Sequence, residues 1–195
     1  MINEFNKEAI RRRMLLKRKK LSAEYILKNS KIIANNLMKL DIYQQSTNIM
    51  LYVATKSEVQ TWEIIKSAQK DKKNIFIPLI IRGSNMLFPS LIKDFEKELI
   101  RGDLGIFQPS KEFYRLCPPD ILDLVIVPGV AFTVQGYRLG RGGGYYDHFL
   151  SQLEPRTISV ALAFEMQILT EIPVEEKDIP VDYIITEKRI IKIRE

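Results

Sequence analysis

ILDLVIVPGVAFTVQGYRLGRGGGYYDHFL, residues 121–150, joins an apolar run to a glycine-rich turn and then to an aromatic, acid-containing segment. Residues 121–127 are short and almost continuously apolar, the pattern of a strand buried on both faces of a parallel sheet, and they end at Pro128 and Gly129. Four of the nine glycines follow at Gly140, Gly142, Gly143 and Gly144, and a helix is predicted from Tyr145 to about Leu153. A strand, a glycine loop and a helix in that order belong to an open α/β fold, with the loop at the strand's carboxyl end.

The chemistry of the loop follows from its residues. Glycine tolerates positive φ, and without a Cβ it lets backbone N–H groups crowd around an anion. Arg138 and Arg141 add delocalised positive charge with a fork suited to phosphate oxygens, and Asp147 stands where a carboxylate could hold a divalent cation. A turn carrying solvated arginines is the competing reading. The segment contains no GxxxxGK[ST], and GRGGG is GxGxG rather than GxGxxG, so spacing alone reaches a polyphosphate loop and stops there.

Working outward, residues 48–54 (NIMLYVA), 74–81 and 156–162 read as further buried strands, and VDYIITEKRII, residues 181–191, as the last strand. Residues 4–20 contain no glycine or proline and predict a helix. A second helix is predicted from Ser22, an N-cap, to about Lys39, and a third from Trp62 to about Lys70 with Thr61 as its cap. Residues 86–92 fit an edge strand because of Pro89, and residues 94–109 a polar turn or short helix followed by an extended segment. The alternation predicts one three-layer α/β/α domain over residues 1–195, with a mostly parallel sheet.

Composition excludes several classes. At 195 residues and 46% hydrophobic content the chain can fill a core. No apolar run approaches the roughly 20 residues of a membrane span, and the N-terminal charges do not fit a signal peptide, so a cytoplasmic protein is expected. One cysteine, Cys117, and one histidine, His148, exclude an internal disulfide and a Cys/His zinc set. His148 fits a packed or solvated position better than a catalytic one.

The net charge of +6 lies in residues 1–20, which hold eight Lys/Arg and two Asp/Glu, leaving the remainder neutral. That distribution argues against a nucleic-acid-binding surface. On a helix, Lys7, Arg11 and Arg18 lie within about 40° of one another as a cationic stripe. The stripe either faces solvent or reaches a phosphate. Glu58, just after the first strand, is either a ligand contact or a turn acid, and Asp182 is either a surface acid or a second metal carboxylate beside Asp147.

Together VPGVAFTVQGYRLGRGGGYYD, SEV after the first strand, Lys7 and Arg11 at i,i+4 and the VDYIIT ending resemble the 5-formyltetrahydrofolate cyclo-ligase family over nearly the whole chain. The resemblance implies a fold similar to the NagB/RpiA/CoA-transferase group. It also implies ATP- and magnesium-dependent conversion of 5-formyltetrahydrofolate to 5,10-methenyltetrahydrofolate, with no nucleic-acid or membrane partner and a monomeric state. ATP contacts carry over to Lys7, Arg11, Arg138, Leu139, Gly140, Arg141, Gly142, Gly143, Gly144, Tyr145 and Tyr146. Folate contacts carry over to Val53, Glu58, Arg141, Gly142, Gly143, Gly144 and Tyr145, and magnesium ligands to Asp147 and Asp182, with Arg141 and Tyr145 as the catalytic pair. The chain departs from some members at Gly143, where they have lysine, at Leu104, near which they have an aromatic nucleotide contact, and at Leu79, where a basic residue is frequent.

Overall fold

The computed structural model describes residues 6–81, 84, 86–102 and 107–194; Leu104 and the first residues of the predicted N-terminal helix lie outside these. Six helices, α1 (Lys7–Lys19), α2 (Ala23–Met38), α3 (Asp41–Gln44), α4 (Trp62–Lys70), α5 (Phe95–Glu98) and α6 (Tyr145–Leu150), accompany twelve strands among the described residues. Seven strands form the central sheet: β1 (Asn48–Met50), β2 (Asn74–Ile80), β3 (Leu87–Ile92), β6 (Leu124–Val127), β9 (Ile158–Leu162), β11 (Tyr183–Ile185) and β12 (Ile190–Lys192). They are ordered β12-β11-β9-β6-β1-β2-β3. The short strands β4 (Leu99–Arg101) and β5 (Phe107–Pro109) pair with each other, and β7 (Ala131–Thr133), β8 (Arg138–Leu139) and β10 (Ile168–Leu169) make a small third sheet.

The five inner strands are parallel, and β3 and β12 run antiparallel at the edges. In chain order the parallel strands lie 2-1-3-4-5, so the winding reverses between β1 and β6. The connections leaving the carboxyl ends of those two strands therefore go to opposite faces, which opens a crevice there, the usual ligand position in such sheets.

Period-two alternation builds the layers. Ile49, Leu51, Ile75, Ile77, Leu124 and Ile126 pack with Ile33 and Leu37 of α2, Tyr43 of α3 and Ile64 and Ile65 of α4. Their neighbours Met50, Phe76, Val125 and Val127 pack on the other face with Phe132, Phe149 and Leu150. Most of these side chains are fully buried, each contributing about 1.5–3 kcal/mol of transfer free energy. The second face is covered by the short α6 and the small β-sheet, with α1 lying on that sheet through Ile10, Met14, Val130 and Leu139.

Two local expectations are corrected. Residues 181–191 form a hairpin, β11 and β12, because the Thr186 hydroxyl accepts the Lys188 and Arg189 amides and turns the chain. Thr61 starts α4 without capping it: its hydroxyl donates to the Tyr52 carbonyl (2.8 Å) and accepts from the Ala54 amide (3.3 Å), tying the helix start to the end of β1. The connection from β6 to the glycine loop is the β7–β8 hairpin, in which the Val130 amide donates to the Leu139 carbonyl at 2.7 Å and returns the chain to the level of Gly129. By contrast Ser22 caps α2 as expected, accepting the Tyr25 amide at 3.1 Å, and β3 is an edge strand carrying Pro89. Among the described residues no helix is long and apolar enough to cross a membrane.

Candidate active site

The crevice between β1 and β6 is bounded by three segments: the loop after β1 with Glu58, the turn after β6 with Gly129, and residues 140–144. Helix α1 spans all three. Arg18 donates to the Gly129 carbonyl (3.2 Å) and reaches the Ser57 hydroxyl, and Arg11 donates to the Gly140 carbonyl at 2.8 Å. Lys7 pairs with Asp178 (2.6 Å) and Glu175 (2.9 Å). Burial pulls the Lys7 pKa down, but these two carboxylates outweigh it and hold it above the usual lysine value.

Glu58 and Arg141 meet directly. One Arg141 nitrogen donates to the Glu58 carboxylate at 2.8 Å, the Thr55 amide donates to its other oxygen at 2.8 Å, and Arg18 lies 3.5 Å away. Burial alone would push this carboxyl up; the Thr55 amide and the two guanidiniums together hold it below the ordinary glutamate value. It is therefore an anion whose charge and orientation are fixed at neutral pH. Tyr52 and Tyr146 are within electrostatic reach of it; burial pushes both phenols well up and keeps them protonated, and the Tyr52 hydroxyl donates to the Val59 carbonyl at 3.2 Å.

The glycine loop needs its glycines at Gly142 (φ +106°) and Gly144 (φ +67°), the latter being the residue from which α6 starts. Residues 141–144 are exposed, and the Tyr145 ring lies so close over Gly143 that a Cβ there would stand 2.6 Å from it. A side chain at this position requires a different tyrosine placement. Helix α6 ends at Leu150 rather than near Leu153, and with six residues it adds little dipole.

Other expected site residues sit deeper. Arg138 is buried; it donates to Asp147 at 2.8 Å and to the Ile179 carbonyl at 3.2 Å, and its guanidinium lies 5.9 Å from the centre of the Tyr146 ring. It therefore ties β8 to α6. Leu139 and Val53 are core residues, so only their backbones could meet a ligand. Asp147 takes both of its contacts, from Arg138 and the Ile179 amide, on Oδ1, and it lines an open groove with Gly143, Gly144 and Lys177. Asp182 accepts the amide and hydroxyl of Ser159, level with Val125 in the amino half of β6, and lies 3.7 Å from Arg194. The two aspartates thus have separate partners, and among the described residues no three His, Cys, Asp or Glu side chains cluster as a metal site. His148 is exposed and meets Gln152.

Arg18 is the residue that the phosphate-stripe reading misjudged. At 2% exposure it is buried against Glu58 and cannot present itself to a phosphate. A signal was available: Ile10, Met14 and Arg18 are spaced at i, i+4, i+8, which continues the helix's buried face through the arginine.

Residues 3–187, from α1 through β11, match the 5-formyltetrahydrofolate cyclo-ligase family. The chain belongs to that family. A mouse 5-formyltetrahydrofolate cyclo-ligase is 33% identical over 189 residues, covering 93% of each chain. The corresponding Escherichia coli K12 protein is 28% identical over 177 residues, covering 89% of this chain and 96% of its own. The NMR structure of Aquifex aeolicus 5,10-methenyltetrahydrofolate synthetase superposes with a TM-score of 0.84 at 31% identity, covering 97% of this chain and 93% of that one. In this cyclo-ligase-family enzyme, Glu58 and Arg141 join the loop after β1 to the glycine loop in a single site.

Proposed function

We propose that the protein converts 5-formyltetrahydrofolate to 5,10-methenyltetrahydrofolate with consumption of ATP, releasing ADP and phosphate. One observation carries this reading: the Glu58–Arg141 contact puts a fixed carboxylate and a polyphosphate-type loop in one crevice. A carboxylate suits the N–H donors of a pterin, and the loop suits a triphosphate.

A formyl oxygen is a poor leaving group. In the proposed route it attacks the γ-phosphorus of ATP, forming an O–P bond as the bond to ADP breaks. N10 then attacks the formyl carbon and loses its proton, and the C–O bond breaks to release phosphate and leave the methenyl bridge. Phosphoryl transfer depends on positioning and charge neutralisation, which accounts for a site with no Ser/His or Cys/His pair. Arg141 and the amides of residues 140–144 stabilise the transferred group, with Arg11 and Lys7 on the phosphate side. Glu58 orients the pterin, and Tyr145 walls the reacting atoms over Gly143.

A bound magnesium ion would supply charge neutralisation at the phosphates. Asp147 fits it through Oδ2, since magnesium in nucleotide sites takes one or two carboxylates together with phosphate oxygens and water. Asp182, the second carboxylate of the expected pair, accepts from the Ser159 hydroxyl and lies 3.7 Å from Arg194, so it would share an ion only alongside these partners.

The test is direct. Incubation with 5-formyltetrahydrofolate and ATP should produce methenyl-folate absorbance with one phosphate released per turnover; a chelator should abolish it and added magnesium restore it. Absorbance growth without ATP, or phosphate release uncoupled from it, would contradict the proposal.

A further inference from the structure

We infer that Arg18 is a positioning residue for this reaction, a buried tie that holds the Glu58 carboxylate toward the folate by anchoring it to the carboxyl end of β6. The inference rests on the reading of Glu58 as a folate contact and adds the residue that sets its placement.

The geometry is specific to Arg18. Its side chain is 3% exposed and Glu58's is 11% exposed, with a charge separation of 3.5 Å. The same guanidinium donates to the Gly129 carbonyl at 3.2 Å and points Nε and a terminal nitrogen at the Ser57 hydroxyl, each at 3.4 Å. One planar fork from α1 therefore binds the loop after β1 and the turn after β6, the two diverging edges of the crevice. Gln167 completes the anchor, donating to the Gly129 and Val130 carbonyls at 3.1 Å. Arg141, the other cation on Glu58, is 46% exposed on the glycine loop, where phosphate competes for it. When Arg141 turns to a phosphate, Arg18 and the Thr55 amide still hold Glu58 ionised and in place.

Burial of a guanidinium is costly unless its N–H donors are met, and a lysine cannot reach three acceptors in one plane. A helix-packing role alone would be served by an apolar residue continuing the Ile10 and Met14 stripe. The groups that meet Glu58 are Arg18 from α1, Arg141 from the glycine loop and the Thr55 amide from its own loop, with the phenols of Tyr52 and of Tyr146 on α6 within electrostatic reach. Loss of Arg18 removes one of the two guanidiniums that offset the burial of Glu58, so the Glu58 pKa rises.

Arg18→Met, Arg18→Lys, Glu58→Gln and the Arg18→Met/Glu58→Gln pair test the inference, with folding followed by circular dichroism. Arg18→Met should raise KM for 5-formyltetrahydrofolate roughly tenfold to hundredfold, the range for losing a charge-assisted contact, while KM for ATP moves little. Its folate KM should worsen further on acidification, at a pH where the wild type is flat. Arg18→Lys should recover part of the loss. In the Glu58→Gln background Arg18→Met should add almost nothing. A carbon-13 titration of the Glu58 carboxyl in ligand-free protein should show a raised pKa in Arg18→Met, independently of any substrate. A folded Arg18→Met enzyme with normal folate KM, an undiminished loss in the Glu58→Gln background, or an unmoved Glu58 titration would each overturn the inference. If Arg18→Met fails to fold, Arg18→Lys with an unchanged folate KM does the same. Glu58→Gln with wild-type folate KM would instead overturn the folate reading beneath it, even where the titration still couples the two residues.

Discussion

Arg141→Ala is expected to lower kcat about 10²- to 10³-fold, the usual cost of deleting a donor aimed at transition-state charge, while leaving the protein folded. The two halves of this result have different causes. In the ligand-free enzyme Arg141 makes a half-exposed ion pair with Glu58, and pairs of that kind contribute about 0–1 kcal/mol to stability. Its removal strands no buried charge, because Glu58 keeps Arg18 and the Thr55 amide. On the proposed route the kinetic loss arises because charge builds on the transferred phosphoryl group, and the neighbouring glycines offer amides but no mobile cation. Steady-state kinetics in both substrates, with a thermal melt, separate the effects. A variant with near-normal kcat would remove Arg141 from the chemistry, and one with a collapsed melting temperature would make it a structural residue.

The parts of this site readable from sequence are those fixed by local rules. Glycines at positive φ mark Gly142 and Gly144, a serine N-cap marks Ser22, and apolar runs mark β1, β2, β6 and β9. Even there the boundaries moved: the run at residues 48–54 is regular strand only over Asn48–Met50, although the Leu51 amide still donates to the Phe76 carbonyl of β2 at 3.0 Å. What could not be read is non-local. The reversal of winding between β1 and β6 depends on strand order, and that reversal makes the Glu58 and Gly129 loops neighbours. Arg138 has the same composition and loop membership as Arg141, yet one is buried on Asp147 and the other exposed on Glu58, a difference set by the β7–β8 hairpin. Asp147 and Asp182 look equivalent as carboxylates near strand and helix starts. Only the pairing of β9 with β11 reveals that Ser159 engages the second. The resemblance to a family supplied residue roles that spacing alone left open, and the geometry then separated residues that meet the crevice from those that support it.

Gly129→Ala should be the most damaging small substitution near the crevice. A Cβ on Gly129 would stand 2.3 Å from Cζ of Phe132 and within 3.0 Å of both Cε atoms, and that ring is fully buried beneath β6 among Val125, Val127 and Phe149. A close-packed core cannot absorb the extra methyl without displacing ring or backbone, at a cost of about 1–3 kcal/mol. For a chain of this size, each kcal/mol lowers the melting temperature by roughly 2–4 °C. If the backbone yields, the Gly129 carbonyl moves, and with it the acceptor shared by Arg18 and Gln167, so folate KM should rise alongside the loss of stability. Phe132→Leu supplies the discriminating partner. Leucine lacks the Cζ and Cε atoms, so the double variant should be less destabilised than the sum of the singles and should regain folate affinity. Strictly additive losses would mean that the Gly129–Phe132 contact does not set the carbonyl's position. Preserved folate KM in a destabilised Gly129→Ala enzyme would separate the turn after β6 from the placement of Glu58.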